Sequence, residues 1–247
     1  MPQNSTSTRR QALHALLVFF GTLLPLVHVA AHDLWLEREG GHFVLQYGHR
    51  HSGHDGAARV PYDPGMVREI HCAAVDGTLR GIAPGSAYPV RIAGVCAAIH
   101  VVTSSGYWSR TTRGLRNQPA SELAGVLRSW ESIESVKHLE AWSEALSSPL
   151  GTGLELTPQA DPFTLEPGEK LRLLASFDGR PRQGVTVTYD GEARGVSDAA
   201  GRVNIRIRRH GGQVVGAGFE AERDDGLADS TIHATVLTFE LPGSGQQ

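Results

Sequence analysis

Residues 30–54 read AAHDLWLEREGGHFVLQYGHRHSGH, a stretch that joins a strand-like segment to the densest group of histidines in the chain. Within it, Phe43, Leu45 and Tyr47 recur at every second position. Because successive side chains of a β-strand point to opposite faces of a sheet, this spacing predicts a strand with one buried face. A β-strand is therefore predicted here, with the histidine cluster following its end.

The same two-residue alternation recurs in short segments separated by glycine, proline and aspartate. Turn residues at such intervals, together with 29 glycines and 13 prolines, favour antiparallel β-structure. Further strands are predicted at Glu69–Val75, Val90–Ala93, Val95–Thr103, Lys170–Phe177, Gly184–Tyr189, Arg202–Ile207, Gln213–Phe219 and Thr231–Phe239. The fold class is therefore predicted to be mainly β, with two β-sandwich domains.

Between residues 106 and 150 the apolar residues recur instead at steps of three and four. Such spacing brings side chains to one side of an α-helix. Pro119 and Ser121 suit a helix start, and Pro149 suits a stop. The residues in helical register are Leu123, Leu127, Trp130, Ile133 or Glu134, Val136 and Leu139. A short helical segment is therefore predicted to join the two sandwiches.

The first 31 residues have the features of a cleavable signal peptide. Arg9 and Arg10 precede an apolar run from Ala12 to Val29, and Ala31 closes a small-residue cut site. The arginine pair leaves both general secretory and twin-arginine export open. An uncleaved membrane anchor is the alternative, since the run approaches the ~20 residues that span a bilayer. The predicted organisation is a signal peptide at 1–31, an N-terminal β-sandwich with the histidine cluster at 32–105, a helical connector at 106–150, a C-terminal β-sandwich at 151–241 and a flexible tail at 242–247.

Cys72 and Cys96 are the two cysteines of the chain. Export would place the protein in the periplasm or outside the cell, with no membrane span after signal cleavage, and an even cysteine count there favours a disulfide. A thiolate metal site is the alternative, which oxidising surroundings disfavour. A Cys72–Cys96 disulfide is therefore predicted.

Histidines are concentrated after the predicted cut site, with five of the twelve in residues 32–54. Cleavage would make His32 the first residue, and its free α-amine and imidazole Nδ1 can then bind one metal ion as a chelate. His49, His51 and His54 form a His-x-His-x-x-His cluster that can supply further ligands. Imidazole nitrogen suits nickel, cobalt, copper and zinc alike. The alternative is a solvated, histidine-rich loop without fixed geometry.

Two carboxylates lie close to this cluster in the sequence, at Asp33 and Glu37. Carboxylates that accept a hydrogen bond from a ligating imidazole orient the ring and make it more basic. Asp33 and Glu37 are therefore candidates for that supporting role, and solvated charges at a strand edge are the alternative.

Several functional classes lack support in the sequence. The formal net charge of −3 argues against a nucleic-acid partner, which needs a basic patch. The chain contains no His-Glu-x-x-His, no Cys-x-x-Cys and no glycine-rich phosphate loop, and no nucleophile and base stand out as a pair. The protein is therefore predicted not to be an enzyme.

Four segments together resemble the NikM-like family of periplasmic proteins tied to nickel and cobalt uptake. These segments are Ala31–Glu37, Tyr47–His49, Gly106–Thr111 and Asp161–Glu169. The second half of the chain also resembles the transthyretin-like and Cna-B-like modules of exported proteins, on Phe177–Thr188 and Ser197–Arg202. The resemblance implies sandwiches of the Ig-like or transthyretin-like kind.

The resemblance to the NikM-like family further implies an extracytoplasmic protein that supplies Ni²⁺ or Co²⁺ to a membrane uptake transporter of the ECF or ABC type. His32 and His49 match the family pattern best, and His51 and His54 match it less closely. Two other functions stay open at this point. One is periplasmic copper binding and trafficking, since an N-terminal histidine with a second histidine is also the histidine brace of Cu²⁺ proteins. The other is a non-catalytic adhesion or carbohydrate-binding module.

Overall fold

Sixteen strands and four short 3-10 helices are present in the part of the chain that the structure, a computed structural model, describes: residues 33–48 and 59–243. The strands are β1 (Asp33–Glu39), β2 (His42–Gly48), β3 (Val67–Ala73), β4 (Leu79–Gly81), β5 (Arg91–Ala93), β6 (Ala98–Thr111), β7 (Gly114–Arg116), β8 (Val126–Leu139), β9 (Leu154–Pro158), β10 (Lys170–Phe177), β11 (Arg180–Pro181), β12 (Thr186–Tyr189), β13 (Glu192–Val196), β14 (Arg202–Arg206), β15 (Gly211–Glu222) and β16 (Ser230–Leu241). The 3-10 helices are Pro64–Met66, Ala120–Glu122, Glu144–Leu146 and Pro162–Thr164. None of the helices in these ranges is long and apolar enough to cross a membrane.

The described strands form three sheets. The large sheet has nine strands in the order β13-β12-β15-β16-β8-β6-β3-β4, with β7 paired to β6 as the ninth. A four-stranded sheet has the order β11-β10-β14 with β9 also paired to β10, and a three-stranded sheet has the order β1-β2-β5. Among these pairs, β16 with β8 is parallel and the others are antiparallel.

Each face of the large sheet carries an apolar core. On one face, Val136 of β8 packs in a cluster with Phe43 and Leu45 of the three-stranded sheet. On the other face, Leu139 of β8 packs in a cluster with Leu156 of the four-stranded sheet. Since side chains alternate along a strand, the even-numbered residues of β8 face the first cluster and the odd-numbered residues face the second. Strand β8 is thus buried on both faces.

The mainly β class is confirmed, and so are most of the predicted strands. In β10, Leu171, Leu173 and Ala175 are buried, whereas Lys170 and Arg172 are exposed. This alternation is what the sequence displays, and β10 has the predicted bounds. Strands with one solvent-facing side can therefore be predicted from the sequence, because polar residues on that side alternate with apolar residues on the buried side.

The predicted helix is wrong, because residues 126–139 form strand β8. Polar side chains on both faces of this central strand are buried, Ser132 and Glu134 on one face and Ser135 and Lys137 on the other. They interrupt the two-residue apolar pattern, and the residues that remain apolar happen to fall at steps of three and four. Backbone bonds to β6 and β16, which are distant in sequence, decide the outcome.

The division into two separate sandwiches is not confirmed. Strand β8, from the predicted connector, pairs in parallel with β16, from Ser230 opposite Trp130 to Thr238 opposite His138. The same β8 pairs with β6, so strands from all three predicted segments share the large sheet. The predicted signal peptide and residues 244–247 of the predicted tail lie outside the described residues.

The predicted disulfide is confirmed. Cys72 and Cys96 are bonded, with sulfurs 2.00 Å apart and Cα atoms 5.4 Å apart. Cys72 lies in β3 as expected, whereas Cys96 lies just before β6 rather than within a strand. Neither cysteine is a free thiol, which removes the thiolate-site alternative.

Candidate metal centre

The hairpin of β1 and β2 leads to the predicted metal ligands. Gly40 and Gly41 form its two-residue turn, with φ of +52° and +84°. Positive φ at both central residues is the conformation whose twist suits a tight hairpin, and glycine adopts it without strain. The turn fixes the register, so that Glu39 pairs with His42 at one end and Asp33 pairs with Gly48 at the other.

The four predicted ligands themselves lie outside the described residues: His32, His49, His51 and His54. Two of them are direct chain neighbours of the last described pair of the hairpin. His32 precedes Asp33 and His49 follows Gly48. At this end of the hairpin, Asp33 and Gly48 are thus the described residues next to two of the predicted ligands.

Glu37 is held in place on strand β1. Its carboxylate accepts a hydrogen bond from Trp35 Nε1 at 2.9 Å and forms an ion pair with Arg59, Nη2 to Oε2 at 2.6 Å. The backbone of Arg59 in turn forms an isolated antiparallel β-bridge with that of Gly48. The Glu37 carboxylate is therefore tied to the hairpin end through Arg59. Of Asp33, the other predicted supporting carboxylate, the structure describes the backbone pairing with Gly48.

A carboxylate that sequence reasoning missed lies under the same hairpin. Glu134 of β8 is buried, and its Oε1 accepts a hydrogen bond from Ser132 Oγ at 3.0 Å. Burial raises the pKa of the Tyr47 phenol, and the negative charge of Glu134 raises it further. Tyr47 therefore stays a neutral phenol beside the Glu134 carboxylate. Nothing in the sequence singled out Glu134, because it stood in the segment predicted to be helical.

A second polar group is buried on the opposite face of the large sheet. His71 of β3 pairs with His100 of β6, and His100 pairs with Lys137 of β8, so the three side chains form a row across adjacent strands. Lys137 Nζ lies 2.7 Å from Glu155 Oε1, and neither of these two side chains is exposed. Lys137 also donates to Thr157 Oγ1 at 3.1 Å. A complete ion pair is thus buried between the large and the four-stranded sheets.

The electrostatic surroundings of this row set the charges of Glu155 and His100. Burial raises the pKa of Glu155, but Lys137, His100 and the hydrogen bonds to the carboxylate outweigh burial and lower the pKa overall. Burial lowers the pKa of His100, which the charge of Glu155 raises and that of Lys137 lowers. At neutral pH, Glu155 is therefore ionised and His100 is a neutral imidazole.

Two isolated histidines, His210 and His233, have surface and packing roles. The His233 ring stacks on Phe219 with centroids 4.8 Å apart and contacts the edge of Phe177 at 4.6 Å. His210 hydrogen-bonds the carbonyl of Pro242 at 2.8 Å and lies 3.4 Å from Glu166. Across residues 33–48 and 59–243, no three His, Cys, Asp or Glu side chains are grouped so that they could hold a metal ion.

Comparison with known proteins gives one family match. A family model described as "Domain of unknown function (DUF4198)" matches residues 29–221. No curated protein matches the chain. Among solved structures, the N-terminal four Ig domains of Dscam1 isoform 1.9 are similar at 14% sequence identity, over 70% of this chain and 36% of that chain, with a TM-score of 0.20. A likeness that weak carries no argument about function.

Proposed function

Since the chain belongs to the DUF4198 family, whose description leaves the function open, we propose that it is an exported, periplasmic metal-binding protein that supplies Ni²⁺ or Co²⁺ to a membrane uptake transporter of the ECF or ABC type. This proposal joins the resemblance to the NikM-like family with the geometry of the β1–β2 hairpin. The protein itself is proposed to bind and deliver the ion without catalysing a reaction.

The hairpin register is the observation that carries the proposal. In every pair of the ladder the two residue numbers add up to 81, from Glu39 with His42 to Asp33 with Gly48. His32 and His49 also add up to 81, so one further pair in the same register would bring them opposite each other. Directly opposite residues of an antiparallel pair have Cβ atoms about 4.5–5.5 Å apart, which lets two imidazoles reach one ion. The tight two-glycine turn, eight residues from each of the two histidines, thus supports a shared metal site.

The proposed ligands form a nitrogen-rich set. Cleavage after Ala31 frees the α-amine of His32, which chelates the ion together with the ring Nδ1. His49 supplies a second imidazole, and His51 and His54 complete the site. Each imidazole must be neutral to bind, so that binding weakens as pH falls through about 6.5.

The described surroundings suit a cation. The buried carboxylate of Glu134 lies under the hairpin beside Tyr47, and attraction between opposite charges is stronger where water is partly excluded. Copper is the second candidate ion, because the Irving–Williams order gives an imidazole and amine site at least as high an affinity for Cu²⁺ as for Ni²⁺.

The variant His49→Ala tests the shared site, with His210→Ala as the matched control. The described contacts of His210 are with the carbonyl of Pro242 and with Glu166, neither of which belongs to the proposed site. In calorimetric titrations of the cleaved protein with Ni²⁺, Co²⁺ and Cu²⁺, His49→Ala is expected to bind at least about tenfold more weakly, a loss of about 1.4 kcal/mol or more. His210→Ala is expected to bind like the unchanged protein. Equal affinities for both variants would contradict the proposed site, and tight binding of Cu²⁺ alone would favour the copper alternative.

A further inference from the structure

The Nδ1 atoms of His71 and His100 both lie close to Gly151. A Cβ atom built on Gly151 would lie 2.6 Å from His100 Nδ1 and 2.8 Å from His71 Nδ1. The two nitrogens are therefore at most 5.4 Å apart, the sum of those distances. Because Gly151 has no side chain, the space between the nitrogens and the backbone stays open.

These nitrogens have no hydrogen-bond partner among the described residues. This holds for His71 Nδ1 and for both ring nitrogens of His100, and the His100 side chain is fully buried. A buried polar atom that makes no hydrogen bond destabilises the folded state. Two such nitrogens close to one point, His71 Nδ1 and His100 Nδ1, indicate a binding site for a cation that accepts their lone pairs.

The neighbouring polar groups are committed elsewhere. The Glu155 carboxylate accepts hydrogen bonds from Lys137 Nζ and from the backbone N–H groups of Leu150 and Gly151. Lys137 divides its donors between Glu155 and Thr157. The two imidazoles are therefore left to serve a ligand of their own.

We propose that His71 and His100 form a two-coordinate site for a soft monovalent d¹⁰ cation, namely Cu⁺. The site lies on the face of the large sheet opposite the β1–β2 hairpin, so the proposal is independent of the hairpin ligands. Metal–imidazole bonds are about 2.0–2.1 Å long, so an ion between two nitrogens needs them about 4 Å apart, within the 5.4 Å limit.

Ligand number and charge select a monovalent ion here. Zn²⁺ takes four ligands and harder divalent ions take six or more. Cu⁺ and Ag⁺, in contrast, form linear two-coordinate complexes with two nitrogen ligands. Among the described residues whose charges act on His100, Glu155 already neutralises Lys137, and the other carboxylate, Glu69, is half-buried. At most one negative charge is therefore near the site, which suits a monovalent ion better than a divalent one. Copper is among the metals that imidazole binds well.

Titration of the cleaved protein with Ag⁺, a redox-stable probe for Cu⁺, tests this site. All variants carry His49→Ala, which removes a proposed hairpin ligand. His100→Asn and Gly151→Ala are expected to weaken binding of one equivalent at least about tenfold. In the Gly151→Ala variant, the new methyl group would lie in the space between the two nitrogens. The control His233→Asn, at a buried histidine elsewhere, is expected to bind Ag⁺ like the His49→Ala background.

Nitrogen NMR of the His49→Ala protein gives a second readout that does not depend on how well the other variants fold. Ag⁺ is expected to shift the Nδ1 resonances of His71 and His100 and to leave those of His233 in place. Unchanged Nδ1 resonances at one equivalent of Ag⁺, or equal affinity in His100→Asn and His233→Asn, would overturn the proposal. If His49→Ala lost Ni²⁺ binding but still bound Ag⁺ at His71 and His100, the result would support two separate sites, one at the hairpin and one at His71 and His100.

Discussion

Replacing Lys137 by methionine is expected to lower the free energy of unfolding by about 3–5 kcal/mol. The substitution leaves the ionised Glu155 fully buried without its counter-ion, since Lys137 Nζ is the charged group bonded to it. The hydrogen bonds from Leu150 N and Gly151 N remain, but neutral donors do not cancel a full charge. Urea denaturation at neutral pH measures the difference.

The matched controls separate a buried pair from an exposed one. Arg91→Met removes a partner of Glu39 at the surface, where both side chains are about half exposed, and is expected to change stability by less than about 1 kcal/mol. The double variant Lys137→Met, Glu155→Leu should recover part of the loss, because no charge is then left unpaired. If Lys137→Met lowered the free energy of unfolding no more than Arg91→Met does, the expectation that Glu155 needs Lys137 as its counter-ion would be wrong.

The same pair should show itself in the pH dependence of stability. The overall pKa of Glu155 is lower in the folded protein than in the unfolded chain. Its contribution is therefore present above the unfolded pKa, about 4.3, and is lost as pH falls through the lower folded pKa. The difference in stability between the unchanged protein and the double variant should shrink in that acidic range.

Removing the Cys72–Cys96 disulfide is the second large effect. The bond closes a loop with a sequence separation of 24 residues. On the chain-entropy model a loop of this size stabilises the fold by about 3 kcal/mol, because it restricts the unfolded chain. The variant Cys72→Ala, Cys96→Ala is therefore expected to unfold at a clearly lower urea concentration than the oxidised protein.

A reducing agent provides the control for this prediction. It should shift the unfolding midpoint of the unchanged protein towards that of the double variant and should not affect the variant itself. Coincident midpoints for the oxidised and reduced protein would show that the bond contributes no stability.

The sequence predicted those features whose cause is local. Strand β10 alternates apolar and polar residues because one of its faces is solvent-exposed. The disulfide followed from the cysteine count and the predicted export, before any pairing was known. These features depend on residues next to one another or on chemistry that few residues can provide.

Features that depend on distant pairing could not be predicted in this way. Strand β8 has the apolar spacing of a helix because buried polar residues interrupt its alternation, and the partners of those residues lie in other strands. Lys137 Nζ donates a hydrogen bond to Glu155, and Ser135 Oγ donates one to Thr235. Without the register of β3, β6 and β8, nothing brings His71 beside His100. The predicted metal ligands His32, His49, His51 and His54 lie outside the described residues and stay predictions.

The central claim is that the amine and imidazole of an N-terminal His32 bind the metal ion together with His49. The most direct measurement compares the protein that begins at His32, checked by mass spectrometry, with the same protein carrying one additional glycine before His32. Calorimetric titration with Ni²⁺, Co²⁺ and Cu²⁺ should show tight binding to the first and binding at least about tenfold weaker to the second, because the added peptide bond removes the free amine of His32. Equal binding by both forms would contradict the chelate and leave the site to the histidines of residues 49–54.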